Sequence, residues 1–144
     1  MLTLFCAEAA LVVSPSDTAR NIALDADDAF PEVFATARMI ALMEVAAARA
    51  MRPLLGAGQL SVGVSLNVTH SAATPVGSAV RAVATWLRTA NKLMYFRVEA
   101  FDESGPIGAG EHARAIVDSA RLLSGAERRR NPNTSATNFS REIR

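Results

Sequence analysis

The chain has 144 residues, half of them hydrophobic, and 15 basic side chains against 14 acidic ones leave a formal net charge of +1. This length fits one domain with a real core, and the near-balance of charge argues against a dedicated nucleic-acid binder and against steering of a highly charged partner. Cys6 is the only cysteine, which excludes an internal disulfide and a cysteine metal cluster and suits a reducing cytoplasm; no metal or other cofactor is expected.

In chain order, residues 2–13 form an apolar, strand-like run. Its start, Met1-Leu2-Thr3-Leu4-Phe5-Cys6-Ala7, has the apolarity of a signal sequence, but no basic residues precede it and Glu8 interrupts it. It is read as the first strand and the protein as cytoplasmic. No run approaches the roughly 20 apolar residues of a spanning helix, so no membrane partner is expected. The Asn-x-Ser/Thr matches at Asn67 and Asn133 are then chance matches rather than glycan sites. Ser14-Pro15-Ser16-Asp17 is turn chemistry, and Asp25-Ala26-Asp27-Asp28-Ala29-Phe30-Pro31 is acidic and irregular. Pro31 suits the first turn of a helix and Glu32 its positive end, so a helix is predicted from there to about Met51, where Pro53 stops it.

After Gly56-Ala57-Gly58 the period changes to two: Val62, Val64, Leu66 and Val68 alternate with Ser61, Gly63, Ser65, Asn67 and Thr69, the mark of a half-buried strand. Strands are predicted again over about 78–89, 92–101 and 107–117, with turns at Asn91 and at Asp102-Glu103-Ser104-Gly105. From Gly125 the composition turns to Arg, Asn, Ser and Thr. Residues 1–124 are therefore read as the domain and 125–144, with Arg128-Arg129-Arg130, as a polar, flexible tail. One long apolar helix followed by four consecutive strands predicts an α+β fold with an antiparallel sheet wrapped around the helix, a hot-dog architecture. A helix on one face of an open sheet is the alternative. The open edge of such a sheet predicts a homodimer.

Three polar residues stand out. Glu44 interrupts the apolar helix, and a carboxylate there is costly to bury unless something pairs with it or uses it. It is either a structural partner of an arginine (Arg38, Arg49 or Arg114) or a catalytic group. Thr36, Ile40 and Glu44 step by four along one stripe. His70 ends the alternating strand in the phase of Val62, Val64, Leu66 and Val68, the phase expected to face the helix. A hydroxyl, a carboxylate and an imidazole are thus expected to converge where helix meets sheet, or across a dimer interface.

The segments Phe30-Pro31-Glu32-Val33-Phe34-Ala35-Thr36, Leu42-Met43-Glu44, Val68-Thr69-His70-Ser71-Ala72-Ala73-Thr74-Pro75-Val76-Gly77 and Ile107-Gly108-Ala109-Gly110-Glu111-His112-Ala113-Arg114 together resemble the fluoroacetyl-CoA thioesterase family of hot-dog proteins, over roughly residues 11–120. The resemblance implies Thr36, Glu44 and His70 as the catalytic set. It implies Gly63 beside the acyl group, Phe30 as an aromatic gate and Arg114 as the family's strand arginine, a substrate-binding residue whose guanidinium suits the phosphates of CoA. Fluoroacetyl-specific members carry aromatic residues where this chain has Asp25-Ala26-Asp27-Asp28-Ala29, and a bulky aromatic at the position of Val45. What the resemblance implies is thioester cleavage; it does not fix the acyl group.

The expected activity is hydrolysis of a small acyl-CoA. Glu44 would serve as nucleophile or as general base on water, Thr36 would hold the geometry, and His70 would orient the reactants and protonate the thiolate. The alternative is a non-catalytic hot-dog protein that binds an acyl-CoA or a small apolar ligand.

Overall fold

The computed structural model describes residues 6–130. Strand β1 is Cys6–Val12, helix α1 is Thr36–Met51, and strands β2 to β5 are Gln59–His70, Ala79–Ala90, Leu93–Asp102 and Gly105–Asp118. A second helix, α2, covers Ser119–Arg128. All strand pairs are antiparallel, in the order β1-β3-β4-β5-β2. Helix α1 packs against all five strands, which is the predicted hot-dog arrangement. Met39, Met43, Ala46, Ala47 and Met51 are fully buried against Val80, Ala82, Ala84, Phe96 and Val98. Small residues at 46 and 47 let the helix lie close to the sheet, and the unbranched methionines fill the space left.

The helix begins at Thr36, five residues later than Pro31 predicts. The backbone of the preceding stretch is already committed. Pro31 O accepts from Arg20 N and Val33 O from Ala19 N, while Phe34 N donates to Thr74 O and Ala35 N to Asp17 O. Phe34 and Ala35 are buried in that extended conformation, so helix cannot start before their hydrogen bonds are spent. Glu32 pairs instead with Arg20 on the surface.

Strand β2 departs from strict alternation. A bulge lies between Gly63 and Ser65, with Gly63 opposite Arg114 and Leu66 opposite His112 on β5. Cross-strand partners share a face, and His112 and Arg114 share one face of β5. The helix-facing set of β2 is therefore Ser61 and Gly63 before the bulge, and Leu66, Val68 and His70 after it. His70 falls on the predicted face with Leu66 and Val68. Val62 and Val64 do not, because one extra residue flips the phase, and Val64 is 53 % exposed.

Helix α2 runs across Gly125, where the composition changes, and is capped by the Asp118 carboxylate accepting from Arg121 N. Of the expected tail, Arg128 ends this helix, and residues 131–144 lie outside the described residues, as do Asn133 and residues 2–5 of the expected first strand.

Candidate active site

Two clusters of polar side chains lie along α1, two turns apart. The first is at its N-terminus. Strand β2 ends at His70 and the following loop returns to α1, with Ser71 N donating to Ile107 O and Thr74 O accepting from Phe34 N. This brings His70 Nδ1 to 2.7 Å from Thr36 Oγ1. Thr36 is the first residue of the helix and its hydroxyl does not cap it, so the side chain is free to serve the imidazole. His70 Nε2 is buried, and among the described residues it is the one buried side-chain nitrogen or oxygen without a hydrogen-bond partner. Buried polar groups are rarely left unpaired in folded proteins. Both residues line an open cleft of about 410 Å³ together with Pro31, Phe34 and residues 71–73. Phe30, the expected gate, stands 48 % exposed next to Pro31.

The second cluster surrounds Glu44. Its side chain is 45 % exposed and borders a cavity of about 250 Å³ lined also by Ile40, Gly63, Val64, Ser65, Leu66 and His112. Glu44 Oε1 lies directly over Gly63, where any Cβ would collide with it. Arg114 Nη1 donates to the same oxygen at 3.4 Å. The other guanidinium donors go to Ser61: Nε to Oγ at 3.0 Å and Nη2 to the carbonyl at 2.9 Å. Arg114 is 6 % exposed. The guanidinium expected to meet CoA phosphates is engaged in the fold by Ser61 and Glu44. Burial lowers its pKa and Glu44 counteracts this, so the side chain stays a cation, as arginine does throughout proteins.

His112, 1 % exposed, completes this cluster and was not among the residues singled out from sequence. Its Nδ1 is 2.9 Å from Ser65 O, and its Nε2 is 3.1 Å from Arg114 Nη1 and 4.0 Å from Glu44 Oε1. The signal was available: His112 and Arg114, two apart on a strand, must share a face with whatever Arg114 serves.

The three expected catalytic residues are thus brought together only in part within one chain. Thr36 and His70 touch, whereas Glu44 is eight residues further along α1, about 12 Å at the helical rise. Ile40, one turn from each, lies between them on the stripe. Among the described residues no group of three or more His, Cys, Asp or Glu side chains is placed to hold a metal ion.

A model of the fluoroacetyl-CoA-specific thioesterases matches residues 13–120. The chain belongs to this family. The curated fluoroacetyl-CoA thioesterase of Streptantibioticus cattleyicolor is 42 % identical over 108 residues, covering 74 % of this chain and 78 % of the relative. A solved structure of the fluoroacetyl-CoA thioesterase FlK superposes with a TM-score of 0.81 at 36 % identity, covering 88 % of this chain and 96 % of that one. A mutant of the same enzyme in complex with fluoroacetate and CoA gives 0.77 at 37 %, over 85 % and 99 %. A Thermus thermophilus thioesterase superfamily member gives 0.77 at 28 %, over 90 % and 93 %. This member of the fluoroacetyl-CoA-specific thioesterase family is a thioester hydrolase, and no helix among its described residues is long and apolar enough to cross a membrane.

Proposed function

We propose that this chain hydrolyses the thioester of a small acyl-CoA, with Thr36, Glu44 and His70 as its catalytic residues. The observation that carries this reading is the setting of Glu44: a carboxylate anchored through one oxygen by Arg114, seated on a glycine, and open to a cavity of about 250 Å³. A thioester carbonyl is electrophilic, and its thiolate leaves readily because a thiol has a pKa near that of free cysteine, about 8.5. The reaction needs a nucleophile and charge stabilisation more than a strong acid. Glu44 either attacks the carbonyl, expelling the thiolate and giving an anhydride that water then hydrolyses to free acid and carboxylate, or removes a proton from an attacking water. Thr36 and His70, joined by their hydrogen bond, orient the acyl group and return a proton to the thiolate. Backbone amides, near Gly63 or at a helix N-terminus, would stabilise the developing oxyanion. CoA as the carrier is supported by the relative whose mutant was solved with fluoroacetate and CoA. The modest cavity beside Glu44 and the acidic stretch before Phe30 favour a small acyl group without demanding fluorine.

The separation of Thr36 and His70 from Glu44 along α1 favours a homodimer. Among the described residues strand β2 has β5 as its single neighbour in the sheet, and pairing of two copies along that edge would let the two clusters serve sites shared between subunits. A cytoplasmic location fits a CoA ester substrate and the free Cys6.

A thiol-release assay over a panel of short acyl-CoA esters tests the reading. Glu44→Gln and His70→Ala should lose on the order of 100- to 10,000-fold in turnover while their thermal unfolding stays cooperative. Measurable binding without thiol release from any ester would make the protein a binder, and wild-type rates in both variants would dismiss the site. Incorporation of oxygen-18 from water into Glu44 during turnover separates nucleophile from base.

A further inference from the structure

The two ring nitrogens of His112 face groups of opposite and fixed character. Ser65 O, 2.9 Å from Nδ1, can only accept, so Nδ1 carries a hydrogen. Arg114 Nη1, 3.1 Å from Nε2, can only donate, so Nε2 must present its lone pair. The ring is neutral in this geometry, and its 4.0 Å approach to Glu44 Oε1 is not an ion pair.

From this we infer that His112 is a positioning residue for the thioesterase reaction, aiming Arg114 Nη1 at Glu44 through a buried relay that runs from the β2 bulge. The inference rests on the reading of Glu44 as catalytic. Arg114 is fixed on one side by both oxygens of Ser61. Its remaining donor nitrogen, Nη1, is divided between His112 Nε2 and Glu44 Oε1. The imidazole lone pair stops the guanidinium from turning away from the carboxylate. Ser65 immediately follows the bulged Val64, so the extra residue in β2 also sets where the carbonyl that holds His112 lies. Protonation of His112 would place an N–H against the Nη1 N–H and offer Glu44 a competing donor. The charged groups acting on the ring are Arg114 from its own strand and Glu44 from α1. Burial foremost holds the imidazole below its ordinary value; Arg114 adds to this, against the opposing effects of the Ser65 hydrogen bond and Glu44. The relay is therefore intact at neutral pH and breaks on the acid side.

The test compares His112→Asn and His112→Gln with wild type and with Glu44→Gln. Asn keeps a donor near the Nδ1 position and removes the acceptor for Arg114. Its kcat should fall about tenfold, the worth of one hydrogen bond to a charged group, with KM within about twofold. Gln places an amide oxygen near the Nε2 position and cannot titrate. It should recover kcat to within about threefold of wild type, and the acid limb of its pH–kcat profile should lose one proton relative to wild type. A folded His112→Asn enzyme with wild-type kcat, or a Gln variant with the wild-type acid limb, overturns the positioning role. If the Asn variant does not fold, the Gln acid limb alone decides. Wild-type activity in Glu44→Gln would instead overturn the reading on which the inference stands.

Discussion

Gly63→Ala tests the geometry of the Glu44 pocket by adding one carbon. Gly63 is not among the glycines in the left-handed region, so its backbone accepts alanine without strain, and any effect comes from the space above it. The added Cβ would overlap Glu44 Oε1 and lie 3.1 Å from His112 Cε1. His112 is fixed at both nitrogens, so the carboxylate must yield. To reach ordinary contact it withdraws by about an ångström, and a misplacement of that size at a reacting group costs about 100-fold in rate. Because Glu44 is half exposed, it can swing toward solvent. The stability loss should therefore stay near the lower end of the 1–3 kcal/mol typical of overpacking.

The expected result is a fall in kcat/KM of about 100-fold in the thiol-release assay, with a small drop in the unfolding midpoint. The same substitution in a Glu44→Gln background should cost far less, since groups that act as one unit are not additive. A Gly63→Ala enzyme with wild-type kcat/KM, or equal losses with and without Glu44, would refute the idea that this glycine exists to seat the carboxylate.

Arg114→Lys should lower both stability and turnover. One ammonium cannot reproduce the fork that reaches Ser61 Oγ, Ser61 O and Glu44 at once, so urea denaturation should show a loss of about 1–3 kcal/mol and the assay a fall in kcat. Unchanged values would remove Arg114 from the support of Glu44. Asp17 tests the anchor of the α1 N-terminus: its carboxylate accepts from Ser14 N and Oγ and pairs with Arg38 at 3.0 Å, while its carbonyl accepts from Ala35 N. Burial raises its pKa, but the bonds from Ser14 and Arg38 outweigh this and the net shift is downward from 3.8. A lowered acid stabilises the fold above its unfolded pKa and loses that contribution as pH falls through the folded value. Asp17→Asn should thus cost about 1–2 kcal/mol at neutral pH. The difference from wild type should shrink only below the unfolded value, as read from urea curves across that range. A constant difference at all pH values would contradict the assignment.

Periodicity made the core elements legible. The period-two run at 61–69 lies in β2, the three strand-like runs after it lie in β3 to β5 at nearly the predicted boundaries, and the apolar stretch around Glu44 lies in α1. What escaped was set by partners distant in sequence. Pro31 has the chemistry of a helix start, yet the carbonyls and amides of residues 31–35 are claimed by residues 17–20 and by Thr74. The bulge at Val64 belongs to the pairing of β2 with β5 and leaves no local mark, although it decides which side chains face the helix. Helix α2 was obscured by a composition that reads as tail. Thr36 and His70 were expected near one another and are hydrogen-bonded. Arg114 was recognised, but sequence could not tell an arginine facing phosphate from one turned inward to Ser61.

Sequence leaves Glu44 with two readings, an arginine-paired structural group or a catalytic one, and its geometry is compatible with both at once. A carboxylate fully clamped by a bidentate guanidinium would be a poor nucleophile and a poor base, since both oxygens would be committed. Here Arg114 spends its better hydrogen bonds on Ser61 and reaches Glu44 through one nitrogen at 3.4 Å, to Oε1 alone. Among the described residues Oε2 has no protein partner. The pairing steadies a half-exposed charge beside a mostly apolar wall while leaving one oxygen available. The glycine beneath and the neutral imidazole beside it add contact without a second positive charge. One long ion-pair contact, rather than a tight pair, is what would let a residue held by the fold also take the part in the reaction proposed for it.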